Sequence, residues 1–158
     1  MKRSGFTMIE LIFVIVILGI LAAVAIPKLP ATRDDAKVAA LKSDLSTVVS
    51  DLGAYYTSQG VDKWKAAKIT DATNAKLYTD QKGATPVDTT TALVGTFYMV
   101  ASPGATTNSD CFKLVTINEG NLTISNGSDT TSTACKALQA ASKSIVKTHA
   151  FGSTSVVQ

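Results

Sequence analysis

From residue 11 to residue 26 the chain reads LIFVIVILGILAAVAI, sixteen apolar residues without a charge. A run that is apolar on every side predicts a helix facing hydrocarbon or other apolar helices, not one with a wet face. Extended back to Phe6 it reaches 21 residues. At 1.5 Å per residue that is about 31 Å, the hydrocarbon thickness of a bilayer. Glu10 stands inside this extension. An ionised acid within a span costs up to roughly 3 kcal/mol on insertion scales, so Glu10 marks a functional contact and calls for a partner. Lys2 and Arg3 precede the run, and Lys28 and Arg33 follow it. Charge counting therefore leaves the orientation open.

Pro27 and Pro30 interrupt the backbone after the run, where proline ends or kinks a helix. Residues 32–56 return to a helical pattern. Val38, Leu41, Leu45, Val48, Leu52 and Tyr55 recur at spacings of three and four, with Asp34, Asp35, Lys37, Lys42, Asp44 and Asp51 largely off that stripe. Gly60 is the expected stop. Residues 61–95 carry the weakest pattern, with a short helix over 62–69 bearing Trp64 and a Thr-rich loop over 85–91 around Pro86. From Thr96 the signal sharpens: a strand over 96–101, a turn at Pro103-Gly104, and a hairpin of strands 111–117 and 122–125 across residues 118–121. A loop over 126–133, a modest helix over 136–146 and an edge strand over 154–157 complete the reading. The predicted fold class is α+β, a long N-terminal helix packed on a small antiparallel sheet.

At 158 residues the length suits one anchor plus one small globular domain. No block of Lys and Arg is present, so a phosphate-neutralising surface for nucleic acid is not indicated. His149 is the only histidine and has no acid or thiol at metal-ligand spacing. No nucleophile elbow or phosphate loop is present, so no catalytic constellation is expected. Tyr55, Tyr56, Trp64 and Phe97 read as core aromatics in preference to a ligand-stacking set.

The N-terminus resembles that of the type IV filament superfamily, the type IV pilins and the pseudopilins of type II secretion. A short basic leader ends in Gly5, followed by Phe6, Thr7, the acidic Glu10, an apolar run containing Gly19, and Pro27. The likeness covers about 22 residues by motif and about 60 with the amphipathic helix. It implies cleavage after Gly5 by a prepilin peptidase and methyltransferase, which then N-methylates Phe6. It also implies pairing of Glu10 with the terminal amine of a neighbouring subunit. Two charges desolvated together cost less than either alone. The implied division is a leader over 1–5, a transmembrane and assembly helix over 6–26, and an exported pilin-like domain over 27–158. Losing the leader removes Lys2 and Arg3, leaving 13 basic and 12 acidic side chains. An ordinary secretory signal peptide, with Ala-Ala-Val-Ala at 22–25 as its cleavage site, and a plain single-span anchor are the alternatives. Neither accounts for Gly5-Phe6 followed by an acid within the membrane.

In an exported domain Cys111 and Cys135 are most simply one disulfide in an oxidising compartment, as in the C-terminal loop of many pilins. No cofactor is expected. Residues 126–129 (Asn-Gly-Ser-Asp) hold hard oxygen ligands of the kind with which major pseudopilins bind calcium, yet one carboxylate is few for six to eight ligands. Glu119-Gly-Asn121-Leu-Thr123 fits an extended bacterial N-glycosylation sequon, with an ordinary turn as the plainer reading. Gly19 and Pro27 bracket a segment that loses helical order in related filaments.

The resemblance implies a homopolymer with pilin-like subunits, driven by an inner-membrane platform and its ATPase. The subunit would sit in the inner membrane, N-terminus cytoplasmic, before entering a periplasmic or cell-surface filament. Residues 14–23, Pro27-Lys28 and residues 35–40 look like a type II secretion pseudopilin. The cysteine pair and the weak calcium loop look like a type IV pilus subunit, with adhesion, motility or DNA uptake as its role. A monomeric anchored binding domain with Glu10 idle is a third reading.

Overall fold

The computed structural model describes residues 6–25 and 28–152. The expected cleavage residue Gly5, the break at Pro27 and the edge strand over 154–157 lie outside them. The chain divides into two compact units, Met1–Ala36 and Lys37–Gln158.

Helix α1 spans Met8–Ala25, an unbroken apolar sequence save for Glu10. Helix α2 spans Lys28–Ala66. It starts earlier than the reading from residue 32, and Pro30 does not interrupt it. Pro30 is the third residue of α2, and amides of the first turn have no intrahelical acceptor, so proline is tolerated there. Gly60 does break the helix: its φ of 76° and ψ of 177° lie in a region essentially reserved for glycine. The short helix expected over 62–69 is the remainder of α2 to Ala66, followed by α3, Ile69–Ala72.

In the second unit the stripe behaves as its spacing demands. Leu45, Val48 and Leu52 are fully buried, with Val38, Leu41 and Tyr55 packed partly against the same core. They meet a four-stranded antiparallel meander in the order β1 (Gly95–Val100), β2 (Asp110–Thr116), β3 (Asn121–Asn126) and β4 (Thr148–Ala150). Register sets the faces. Phe97 pairs with Leu114 and Leu114 with Ile124, and all three point into the core. Their neighbours Thr96 and Thr123 face outward, since side chains alternate along a strand. The β2–β3 hairpin turns at Gly120, whose φ is 74°. A Cβ on Gly120 would lie 2.0 Å from the Tyr56 ring, so the turn is pressed onto α2 and needs glycine.

Trp64 is fully buried, and its indole N–H donates to the Ile117 carbonyl at 2.8 Å. Tyr56 and Phe151 meet it edge-on, with ring centroids 5.4 Å and 6.2 Å away. The aromatics are thus core, as expected. Residues 67–94 follow an irregular path held by isolated bridges (Lys68 to Ala92, Tyr78 to Pro86 and Tyr98) and by aspartate turns. Asp80 accepts the amides of Lys82, Ala84 and Thr85, and Asp88 accepts the amides and hydroxyls of Thr90 and Thr91.

Two C-terminal elements differ from the reading. Helix α4 spans Thr133–Ala141, not 136–146. Ser132 caps it by accepting the Cys135 amide, and the Ser142 amide bonds Gln139 to close it early. The amides of Ile145 and Val146 then turn back on the Ser142 carbonyl. The last strand within the described residues is β4, which pairs His149 with Leu122 and Thr148 with Thr123.

Candidate assembly site

The first turn of α1 positions Glu10. The Thr7 amide donates to Glu10 Oε2 at 2.8 Å, and the Thr7 hydroxyl donates to the same oxygen at 2.6 Å. The Glu10 amide donates back to Thr7 Oγ at 3.4 Å. This is a reciprocal capping box, built by Thr-x-x-Glu at a helix start. Glu10 therefore has a partner within its own chain, which the reading of the charge did not supply. The spacing of Thr7 and Glu10 was the signal that could have found it.

Around this box every large apolar side chain from Phe6 to Leu21 is between 40% and 83% exposed. Gly19 lies in the middle of α1, which runs through it without interruption, and a Cβ there would meet nothing within 4 Å. In the single chain Gly19 neither breaks the helix nor packs. Among the described residues no helix is long and apolar enough to cross a membrane.

The remaining candidates lie in the second unit. Cys111 and Cys135 form the expected disulfide, with Cα atoms 4.9 Å apart, fastening α4 to β2. The Gln139 side-chain amide adds a bond to the Cys111 carbonyl at 2.9 Å. The fold brings a second carboxylate, Asp110, to the 126–129 loop, but both acids serve the loop itself. Asp110 accepts the Ser128 amide and hydroxyl, and Asp129 Oδ1 accepts the Thr131 amide and hydroxyl and the Ser132 amide. Burial opposes ionisation of Asp129, yet the Ser132 and Thr131 donors and nearby Lys136 outweigh it and hold the carboxyl below its ordinary value. Among the described residues no group of three or more His, Cys, Asp or Glu could hold a metal. These oxygens accept donors of the loop itself. His149 Nε2 bonds the Ile145 carbonyl at 2.9 Å, a structural position. Asn121 opens β3, half-buried, just after the Gly120 turn.

Comparison with known proteins bears on the N-terminus first. Residues 1–26 match the prokaryotic N-terminal methylation motif. The type II secretion system core protein G of Pseudomonas aeruginosa is 44% identical over 54 residues, which is 34% of this chain and 38% of that protein. The core protein G of Vibrio cholerae is 29% identical over 117 residues, 72% of this chain and 80% of that protein. No solved structure matches. The N-terminal motif, the likeness to the two core protein G relatives and the α+β architecture make this chain similar to the pilins and pseudopilins.

Proposed function

We propose that the chain is a structural subunit, a pseudopilin that polymerises in the inner membrane to drive protein export by type II secretion. The observation that carries this reading is α1: an all-apolar helix with exposed side chains and one carboxylate in its first turn. Such a surface requires a lipid or protein partner. The likeness to core protein G supports a secretion machine as the setting.

On this reading a prepilin peptidase cuts after Gly5 on the cytoplasmic side and methylates Phe6. Residues 6–26 hold the subunit in the membrane until the platform and its ATPase extract it. Transfer from lipid into a helical bundle gains little by hydrophobicity alone, because the acyl chains are as apolar as the bundle. Register then comes from Glu10. The bonds from Thr7 both end on Oε2, so Oε1 can accept the amine of a neighbouring Phe6 while the capping box stays closed. The box also satisfies the acid during its time in the membrane. No step of this role calls for catalysis by the chain.

A type IV pilus subunit is the second reading, favoured by the disulfide between β2 and α4. A clean deletion in the native producer, scored together for exported proteins and for surface filaments, separates the two. Exoproteins trapped in the periplasm with pili intact are the expected result. Lost surface filaments with normal secretion would assign the chain to a pilus instead, and no defect in either would sink both readings.

A further inference from the structure

We infer that Asn121 is the acceptor of an N-linked oligosaccharide, added to the domain after it reaches the exported side. This rests on the export reading above. The chain contains two Asn-x-Ser/Thr triplets, Asn121-Leu-Thr123 and Asn126-Gly-Ser128, and the fold treats them in opposite ways.

At the first triplet Glu119 and Thr123 are exposed and Asn121 is half-buried on the same face as Thr123. Leu122 is buried, so Asn121 and Thr123, on either side of it, share the solvent face of β3. Among the described residues the Asn121 side-chain amide has no hydrogen-bond partner. The Thr123 hydroxyl meets only the Thr148 hydroxyl, at 3.0 Å on the exposed surface. Glu119, two residues before the asparagine, is exposed on the hairpin turn. The turn is also firmly shaped, with the Gly120 amide on the Ile117 carbonyl and the Phe151 amide on the Gly120 carbonyl. A saccharide on Asn121 would project from the outer face without displacing a core side chain.

At the second triplet Asn126 and Ser128 are exposed, but the serine is held. Ser128 directs both its hydroxyl and its amide to the Asp110 carboxylate. The Gly127 amide bonds the Cys111 carbonyl at 2.8 Å, and a Cβ on Gly127 would fall 2.0 Å from the Asp110 carbonyl oxygen. Its −2 position is Ile124, apolar and buried. Two triplets five residues apart thus differ in the residue at −2 and in what holds the hydroxyl, a surface threonine at the first and the Asp110 carboxylate at the second.

The reaction needs an oligosaccharide carried on a lipid pyrophosphate and a membrane transferase. Asn121 Nδ2 forms a bond to the anomeric carbon and loses one proton to a base of the transferase. The anomeric carbon–oxygen bond breaks, and the lipid pyrophosphate leaves with the electron pair. The product is a neutral, bulky, solvated group on the sheet surface.

The test is mass spectrometry of the full chain purified from membranes of its native producer. Intact mass reports leader removal and Phe6 methylation independently of any sugar. After reduction of the Cys111–Cys135 disulfide, trypsin releases residues 114–136 as one peptide holding both triplets, and electron-transfer fragmentation assigns the modified residue. The expected result is a saccharide on Asn121, lost in Asn121→Gln and Thr123→Val, lost or reduced in Glu119→Gln, and retained in Asn126→Gln. A processed chain with Asn121 bare would overturn the modification and leave the export reading standing. Sugar on Asn126 or on a threonine instead would also overturn it. Sugar on Asn121 of a chain that keeps residues 1–5 would support the modification and remove the processing step.

Discussion

Residues 8–21 and residues 37–152 use the same kinds of apolar side chain to opposite ends. In α1 Phe13, Leu18 and Leu21 are about three-fifths exposed. In the domain Leu45, Val48, Leu52, Trp64, Phe97 and Leu114 are at most 2% exposed, each matched to a neighbour across a helix or a strand. Full burial of one such side chain stabilises by roughly 1.5–3 kcal/mol. The domain takes up that stabilisation within one chain. The exposed side chains of α1 do not take it up, so the domain is a folding unit and α1, on the proposed reading, an interface. The acids of both regions are bound by local donors: Asp80, Asp88, Asp110 and Asp129 by turns of the domain, and Glu10 by Thr7 in its own first turn.

The largest expected effect tests the interface half. Glu10→Leu should leave the subunit in the membrane and reduce filament to background, measured by shearing and immunoblotting of producing cells. Wild-type filament from that variant would remove Glu10 from assembly. Glu10→Gln sharpens the point, because glutamine preserves the capping box. Failure of Glu10→Gln as well would assign the requirement to the charge and not to the cap.

In the folding half, Trp64→Ala should destabilise the domain by about 3–5 kcal/mol, through the cavity and the lost bond to the Ile117 carbonyl. Urea unfolding in detergent followed by circular dichroism measures it. An unchanged midpoint would show that the aromatic cluster is not the core. Next, Cys111→Ala combined with Cys135→Ala should cost about 3.5 kcal/mol on the chain-entropy account. The same unfolding curves with and without reductant check this, since wild type under reductant should match the double variant.

The smallest effect concerns pH. Hydrogen bonds from the Thr90 hydroxyl first, then from the Thr91 hydroxyl and the two amides, hold the exposed Asp88 carboxyl down to about 2 against an ordinary 3.8. Because the folded value is depressed, the stability it confers is present above the unfolded value near 3.8. That stability is lost as pH falls through about 2. Amide shifts of Thr90 and Thr91 should titrate with that low midpoint, and Asp88→Asn should abolish the titration. A midpoint near the ordinary value would mean the turn is open in solution.

Much of this was legible in the chain. The stripe from Val38 to Tyr55, the hairpin around residues 118–121, the break at Gly60 and the cysteine pair all stand where local pattern put them. What escaped had weak local signals. Pro30 argued against a helix at residue 30, but its place in the first turn removed the conflict. Helix α4 was displaced because its start depends on Ser132 and its end on the Ser142 turn, while apolar spacing carried on to Val146. Strand β4 has only three residues, too few for alternation to show. At residue 10 the acid is plain in the sequence, and the Thr-x-x-Glu spacing already carries its local partner Thr7.

By itself the sequence determined the division between an all-apolar helix and a half-polar domain, because hydrophobic periodicity is a local property. It also determined the motif that marks the superfamily. Only the tertiary structure decided which polar groups are spoken for. Asp110 reaches Ser128 from 18 residues away and so closes the 126–129 loop. The Gly120 turn leans on Tyr56 of a distant helix, and buried Leu122 leaves Asn121 and Thr123 on the opposite face of β3. These are contacts between residues far apart in the chain, set by strand register and close packing, and no local pattern carries them.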